Sequence, residues 1–389
     1  MSTPTEAPAK AKGNGKQPVV ALRPFTTGTR TIESENYDET VTLNTSTQSM
    51  RVYNFETDGF LSGAFIRITG TTAGNSADTA FEADGPFIAI QSLIFSDIGG
   101  KQIIGPITGW DLYVLNKFGG FAYSGDAKSS SVYSVTTGTG ATGGSFRFVL
   151  RLPVQFRKRD ASGSLSNRNA SATFRVQVTL NNLASLYDTA PTAAPSVNVK
   201  IAQFGWMSSD QRDFKGNSAS PTPNGIGSLA YVDKESITIS AGAINQRLAT
   251  FGGLLRMVLF ELRDSTGSRA QGEADWFDRF QLEIDKTKPY DRTAVTWDHI
   301  LSEDFGLSAT AEAITTGGTR LDGVRPLYWT DDYGLQPGAE SSFRYQPVTP
   351  ATSMIVRGTV GGSGEHTLNV MKQYIAAVGD DPKALTGGR

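Results

Sequence analysis

Two segments share one frame and decide the fold: "GWDLYVLNKFGG" at residues 109–120 and "TWDHILSEDFGL" at residues 296–307. Each frame contains Trp-Asp, then six residues, then Phe-Gly. Both segments lie among stretches in which apolar and polar residues alternate and β-branched side chains are frequent, a pattern typical of strands. The sequence therefore predicts two short helices, each inserted between strands of a β-rich unit.

The first segment predicts an amphipathic helix with recognisable ends. Thr108 is placed to cap its N-terminus, with Asp111 at the position that completes a capping box. Gly119 and Gly120 suit a left-handed exit. Apolar side chains recur every four residues and indicate a face that packs against a sheet. The residues expected to pack the two helices in this way are Trp110, Phe118, Trp297 and Phe305. We expect the two tryptophans to be equivalent and buried.

Five short matches recur in the same order in the two halves and indicate an internal duplication. In the first half they are "GFL" at 59, "EAD" at 82, the Trp110-Asp111 frame, "SFR" at 145 and "NV" at 198. In the second half they are "GGL" at 252, "EAD" at 273, the Trp297-Asp298 frame, "SFR" at 342 and "NV" at 369. A period this long is typical of two similar domains rather than of a solenoid, whose repeats span about 20 to 50 residues.

The composition favours an all-β protein. The 389 residues exceed what one hydrophobic core usually supports and suggest two domains. Charged residues make up 19% of the chain, below the roughly 25% of typical soluble proteins, and the 42 glycines indicate many turns. About eight strand-like segments per half, with long connections and a helix, fit a jelly roll better than an up-and-down barrel. We therefore predict two tandem eight-stranded jelly-roll β-sandwiches (a double jelly roll), each with a short inserted helix.

Composition also divides the chain into segments. We predict a flexible basic N-terminal arm at 1–30, a first jelly roll at 31–207, a linker rich in Ser, Pro, Asn and Gly at 208–229, a second jelly roll at 230–376 and a C-terminal tail at 377–389. The arm contains five basic residues, of which Lys10, Lys12, Lys16 and Arg23 are the predicted assembly residues and Arg30 is the fifth. Such a segment has too little apolar surface to offset the entropy lost on ordering, so we expect it to be mobile when alone.

Several kinds of chemistry lack the residues that they need. The chain has no cysteine, which excludes disulfides, thiolate catalysis and zinc sites built on Cys ligands. His299 and His366 are its two histidines and cannot form a His-rich metal cage, so we expect no metal and no other cofactor. A formal net charge of −2 gives no global field that would gather nucleic acid, and we expect no specific nucleic-acid binding. No apolar run is long enough for a membrane-spanning helix.

Two other functional classes stay open beside a structural role. A carbohydrate-binding β-sandwich would need an exposed aromatic platform, and a glycoside hydrolase would need two carboxylates at a set distance. The carboxylate candidates are Glu273-Asp275, Glu303-Asp304 and Asp331-Asp332. Neighbouring carboxylates at turns and helix ends are usually solvated or capping groups. A non-enzymatic protein that acts through its surface is therefore the main expectation.

Three stretches resemble segments of the major capsid protein of tectiviruses, which are tailless icosahedral phages with an internal membrane. They are "GFLSGAFIRITG" at 59–70, "DGPFIAIQSLIFSDIGGKQIIGPITGWDLYVLNKFGG" at 84–120 and "VRPLYWTDDYGLQPG" at 324–338. The resemblance is clearest over residues 59–120. Elsewhere it rests on chain length, the duplicated layout and the position of the arm and the tail.

The resemblance implies a double jelly roll that self-assembles as a homotrimer, in which six rolls form a pseudo-hexagonal capsomer. Such trimers would tile an icosahedral virion shell beside neighbouring trimers, with penton and minor capsid proteins as further partners. The arm would face inward, where Lys10, Lys12, Lys16 and Arg23 could contact the lipid of an internal membrane. Basic residues near an anionic bilayer gain about 1 kcal/mol each. The prolines and glycines of this arm weaken a helix, in contrast to the more helical arm of the family.

Overall fold

The computed structural model describes nine segments of the chain, which are residues 22–72, 78–119, 126–140, 142–157, 161–224, 227–270, 275–306, 323–329 and 344–377. The three lysines of the predicted arm and the acidic residues Glu273, Asp331 and Asp332 lie outside these segments. Within the nine segments, no helix is long and apolar enough to cross a membrane.

The first half of the chain forms two antiparallel sheets around one core. Its strands are β1 (Thr31–Thr42), β2 (Gln48–Ser49), β3 (Tyr53–Asn54), β4 (Phe60–Thr71), β5 (Ala80–Phe81), β6 (Ile90–Ser96), β7 (Gln102–Ile107), β8 (Ser134–Val135), β9 (Phe146–Pro153), β10 (Leu165–Ser166), β11 (Arg175–Leu180), β12 (Tyr187–Thr189) and β13 (Ser196–Trp206). One sheet has the order β1-β13-β4-β9. In the other, β2 and β3 pair with β11, β11 with β6, and β6 with β7. With β2 and β3 as two pieces of one edge, eight strands form a jelly roll, here called the first roll.

The second half repeats this order and is called the second roll, although two of its strands are much longer than any in the first. Its strands are β14 (Ser228–Leu248), β15 (Gly253–Arg263), β16 (Phe280–Ile284), β17 (Thr287–Arg292), β18 (Val324–Tyr328), β19 (Gln346–Val348) and β20 (Met354–Ala377). β14 and β20 pair along their length, with a register shift between Ser240 and Gly242. On one side of the shift, β20 pairs with β15, and β15 with β18. On the other side, β20 pairs with β16, and β16 with β17. Because β14 and β20 each contribute one strand to both sheets, the second roll also has eight strands. The predicted fold of two tandem jelly rolls is therefore confirmed.

The burial of β4 and β15, which hold the same place in their rolls, differs. Along β4, buried residues alternate with more exposed ones from Ala64 to Gly70, so one face lies on the core and the other is open. Along β15, every residue from Leu255 to Leu262 is buried. The outer face of this sheet is therefore covered in the second roll and open in the first.

One helix stands at the same place in each roll. α1 (Gly109–Phe118) follows β7, and the single turn α2 (Leu183–Leu186) precedes β12. α3 (Ala294–Phe305) follows β17. Both inserted helices predicted from the Trp-Asp frames are thus present, although α3 begins two residues before the quoted segment.

The ends of α1 agree with the prediction only at the N-terminus. The Thr108 hydroxyl accepts a hydrogen bond from the Asp111 amide at 3.1 Å, and the Asp111 carboxylate accepts one from the Thr108 amide at 2.8 Å, which is the expected capping box. The prediction of a left-handed residue at Gly119 is wrong, because φ of Gly119 is −78°. Gly306, which follows α3, does adopt the left-handed conformation, with φ 64°. The Gly119 carbonyl instead accepts a hydrogen bond from the side chain of Arg256 at 3.0 Å. A side chain from the second roll therefore satisfies the C-terminus of α1.

Three of the five repeated matches fall at corresponding places, and the Trp-Asp frames lie on corresponding helices but two residues out of register. The Gly-Phe-Leu and Gly-Gly-Leu matches open β4 and β15, Asp84 and Asp275 follow these strands, and each Asn-Val lies in the last strand of its roll. The Ser-Phe-Arg match is wrong. At 145 it opens β9, whereas Arg344 lies after β18, past the corresponding strand. Three identical residues are too few to fix a register by themselves.

Candidate assembly interfaces

α1 lies between the two rolls and is buried on nearly every side. Nine of its ten residues are buried, Asn116 being the exception, so the expectation of an amphipathic helix is wrong. Its charged side chains are paired, Asp111 with Lys234 of β14 at 2.8 Å and Lys117 with Asp126 at 2.9 Å. Sequence periodicity counts such residues as polar and cannot show that their partners are buried with them.

Trp110 joins the helix to the second roll. Its Nε1 donates a hydrogen bond to Glu261 Oε1 of β15 at 3.0 Å. The guanidinium of Arg269 lies 4.6 Å from the centroid of the indole, within the range of a cation–π contact. The side chain is 2% exposed. Trp110 thus packs against the sheet of the other roll rather than against its own.

Glu261 of β15 makes several polar contacts where α1 meets the second roll. Its carboxylate accepts hydrogen bonds from Trp110 and from Asn369 Nδ2 at 3.2 Å, and it pairs with Arg263. Burial raises the pKa of Glu261 above its ordinary value, while Arg263 acts in the opposite direction. Because hydrogen bonds to the charged form favour it, the three donors stabilise the carboxylate in this buried position.

Further ion pairs connect the two rolls around the helix. Asp84 of the first roll accepts hydrogen bonds from Arg263 at 2.5 Å and from Arg269 at 2.8 Å. Breaking a buried pair on one side leaves an uncompensated charge and is strongly destabilising. These contacts hold the two rolls in a single arrangement.

The sequence contains a sign of this interface that is not a motif. The run "GLLRMVLFELR" at 253–263 is apolar enough for a buried strand, yet it contains Arg256 and Glu261. Both side chains are buried, and Arg256 binds Gln373 Oε1 at 2.6 Å as well as the end of α1. Since charges inside an apolar strand need buried partners, such a run indicates a second layer of protein over the sheet.

α3 is buried on one side only. Its buried residues are Ala294, Trp297 and Leu301, and Val295 is 55% exposed. The indole of Trp297 donates to the Pro326 carbonyl of its own roll at 2.9 Å. Both tryptophans are therefore buried, but their contacts are not equivalent: Trp110 faces the other roll, and Trp297 faces its own core. The ends of the two helices meet where the partly buried Phe305 packs edge to face on Phe118, with centroids 5.0 Å apart.

Beside α3, the features that a hydrolase or a lectin would need do not come together among the described residues. A cavity beside α3 is lined by Tyr290, Arg292, Ile300, Asp304, Leu327, Tyr328, Trp329 and Arg344. Asp304 is the one carboxylate among these residues, and burial and Glu303 raise its pKa. The Tyr290 and Trp329 rings stand at 81° and form no flat platform for a sugar. The described residues also hold no group of three or more His, Cys, Asp or Glu placed to bind a metal ion.

Of the four predicted assembly residues in the arm, the structure describes Arg23. Its side chain is exposed, its amide donates to the Ser218 carbonyl, and its carbonyl accepts from the Ser220 amide, both at 2.9 Å. Two residues on, Phe25 is buried against Phe60, with centroids 5.2 Å apart. This end of the predicted arm thus contacts the predicted linker and the first roll, whereas Lys10, Lys12 and Lys16 lie outside the described residues.

Comparison with known proteins identifies solved structures with a similar architecture. No family model matches the chain, and no curated protein matches it significantly. Solved structures do match: the major capsid protein of the Sulfolobus turreted icosahedral virus, STIV, has a TM-score of 0.57 at 12% identity over 89% of this chain and 97% of that one. The PBCV-1 virus capsid has 0.56 at 10% identity, over 90% and 94%. The major capsid protein P2 of bacteriophage PM2 has 0.52 at 10% identity, over 90% and 100%.

The chain has the double jelly-roll fold of viral major capsid proteins. The fold implied by the resemblance to tectivirus coat proteins is therefore confirmed. The likeness covers about nine-tenths of the chain, 89% for the STIV protein, and so includes both rolls of the double jelly roll. At 10 to 12% identity it is a likeness of fold, and function has to be argued from the surfaces of this chain.

Proposed function

We propose that this protein is a structural major capsid protein, without enzymatic activity, that self-assembles as a homotrimer and builds an icosahedral virion shell. One observation carries the proposal: two jelly rolls of the same strand order are fixed side by side in one chain by the buried contacts of α1. Three such chains would place six similar rolls around a threefold axis, and closed symmetric assembly is the common route to large oligomers.

The proposed location is the virion shell, after synthesis in the host cytoplasm. The proposed partners are neighbouring trimers, penton proteins and minor capsid proteins. Lipid of an internal membrane is a further proposed partner, through the basic residues of the arm. Substitution of Lys10, Lys12, Lys16 and Arg23 together by Gln should leave the melting temperature of the trimer nearly unchanged and reduce the yield of closed particles. Equal particle counts by microscopy for the variant and the native chain would contradict this role of the arm.

Light scattering coupled to size-exclusion chromatography tests the trimer. The expected mass is three times the 41.6 kDa of the chain, independent of concentration over a wide range. A stable monomer at all concentrations would contradict the capsid proposal.

A further inference from the structure

Within the described residues, one contact between a helix and a sheet joins the two rolls, and the two halves of a second such contact stay unpaired. α1 of the first roll covers the outer face of the sheet that contains β15 in the second roll. The corresponding face of the first roll, which contains β4, is open. α3, the counterpart of α1, is exposed on its outer side. Among the described residues these two surfaces do not cover each other, since Val295 and Glu303 of α3 and Phe65 of β4 are all exposed.

The N-caps relate the two helices residue by residue. Thr108 and Thr293 are both N-caps, and each hydroxyl accepts a hydrogen bond from the amide three residues on. Counted from these caps, the residues of α1 that face the second roll form the α1 stripe, which is Trp110, Val114 and Phe118. The matching residues of α3 form the α3 stripe, which is Val295, His299 and Glu303.

The two stripes differ in exposure. Trp110 and Val114 line a small cavity with Leu259 of the second roll, and Phe118 is fully buried. In the α3 stripe, Val295 is 55% exposed, and the side chains of His299 and Glu303 are 72% and 68% exposed. An exposed Val thus stands where α1 has the indole that anchors the rolls to each other.

The repeated Asn-Val relates the two sheets in the same way. Asn198 lies opposite Thr69 of β4, and Asn369 lies opposite Glu261 of β15. Thr69 therefore takes the place of Glu261, the partner of Trp110. Counting back along the strands, the matching residues are Phe65 for Met257, Arg67 for Leu259 and Thr69 for Glu261. Phe65 is 40% exposed, whereas Met257 is 1% exposed.

Charge on the open face complements the α3 stripe. Arg151 of β9 lies there with its guanidinium 4.6 Å from the centroid of Phe204, and in the described segments it has no carboxylate partner. Its Nε is buried without a hydrogen bond. Burial lowers the pKa of Arg151 to about 10. A carboxylate such as that of Glu303 would compensate this partly desolvated cation.

We propose that the α3 stripe of one copy packs on the open first-roll face of a second copy, with Val295 beside Thr69 and Glu303 beside Phe65 and Arg151. The inference rests on the proposed homotrimer and names the surfaces that form it. Each copy offers one stripe and one face, so the contact is head to tail and closes into a ring. The contact inside the chain and the contact between chains then alternate around six rolls.

Cross-linking tests these surfaces. Because the chain contains no cysteine, a short bismaleimide cross-linker reacts only where cysteines are introduced. One variant carries Val295→Cys and Thr69→Cys, and a second carries Glu303→Cys and Phe65→Cys. The matched control carries Glu365→Cys, an exposed position of the second roll outside the stripe, with Thr69→Cys.

On a denaturing gel, full-length protein of trimer mass by light scattering should give covalent species of two and three chains from both pairs, and none larger. The control pair should give at least tenfold less. Absence of cross-links from both pairs in a protein that is trimeric by light scattering would overturn the proposed surfaces and leave the capsid function standing. A monomeric protein would contradict the capsid function itself. If one pair prevents folding, the other pair decides.

Discussion

α1 and α3 occupy the same position in two rolls of the same design, yet α1 is buried almost completely and α3 on one side only. The difference follows from what each helix meets within the chain. α1 meets the second roll, whose Glu261 and Lys234 pair with its polar groups. α3 packs on its own roll, and only its C-terminal Phe305 is seen to touch the first roll, at Phe118 of α1. The comparison teaches that the duplication is not symmetric: a single chain completes one contact between helix and sheet and leaves its counterpart open.

The Trp-Asp frames show how sequence and structural equivalence can separate. Matched by letters, Trp110 corresponds to Trp297. Matched by the caps Thr108 and Thr293, Trp110 corresponds to Val295, two residues earlier. The contacts agree with the caps, since Trp110 points away from its own roll and Trp297 points into its own core. A shared motif does not by itself show on which face of a helix a side chain lies. The position of the motif relative to the N-cap must also be known.

The largest expected effects come from the two tryptophans. Trp110→Ala and Trp297→Ala should each lower the free energy of unfolding by about 3 to 5 kcal/mol, because each removes a fully buried indole. Denaturant unfolding measures the loss. Hydrogen exchange then separates the sites, with faster exchange in β15 for the Trp110 variant and in β16 and β18 for the Trp297 variant. Identical exchange patterns in the two variants would contradict the assignment of Trp110 to the contact between the rolls and of Trp297 to the core of its own roll.

Loss of the aspartate should also cost more stability in the first Trp-Asp frame than in the second. Asp111→Ala leaves Lys234 without its carboxylate in a mostly buried site and should cost about 2 to 3 kcal/mol. Asp298 pairs with the buried Arg325, but the Asp298 side chain is 54% exposed, so water can partly replace its carboxylate and Asp298→Ala should cost less, about 1 to 2 kcal/mol. A double-mutant cycle that adds Lys234→Met should recover part of the Asp111 loss. Equal costs for the two aspartates would contradict the account of α1 as the buried helix.

The smallest expected difference concerns the caps. Thr108→Ala should cost about 1 to 2 kcal/mol and Thr293→Ala about 0.5 to 1 kcal/mol, because the first cap belongs to a complete capping box on a buried helix. Thr→Ser at either position keeps the hydroxyl and is the matched control. Chemical denaturation of the four variants checks the order. A larger loss for Thr293→Ala would reverse the comparison.

The double jelly roll was predictable because its signals are local. Alternating strands, the N-cap of α1 and the recurring Asn198 and Asn369 can each be found by position and residue type. The contacts between the rolls could not be predicted from periodicity, because they depend on which buried charges of distant segments pair with each other. Arg256 and Glu261 lie in an apolar strand, and nothing near them in sequence identifies Gly119 or Trp110 as their partners.

Electron microscopy of the purified protein tests most directly whether this chain forms capsid trimers. Two-dimensional class averages of the particle should show six lobes of nearly equal size related by a threefold axis, since each chain contributes two similar rolls. Alternate contacts between lobes should differ, because α1 forms one kind and the α3 stripe forms the other. Single particles with two lobes, or a closed ring with a number of lobes other than six, would contradict the proposed trimer.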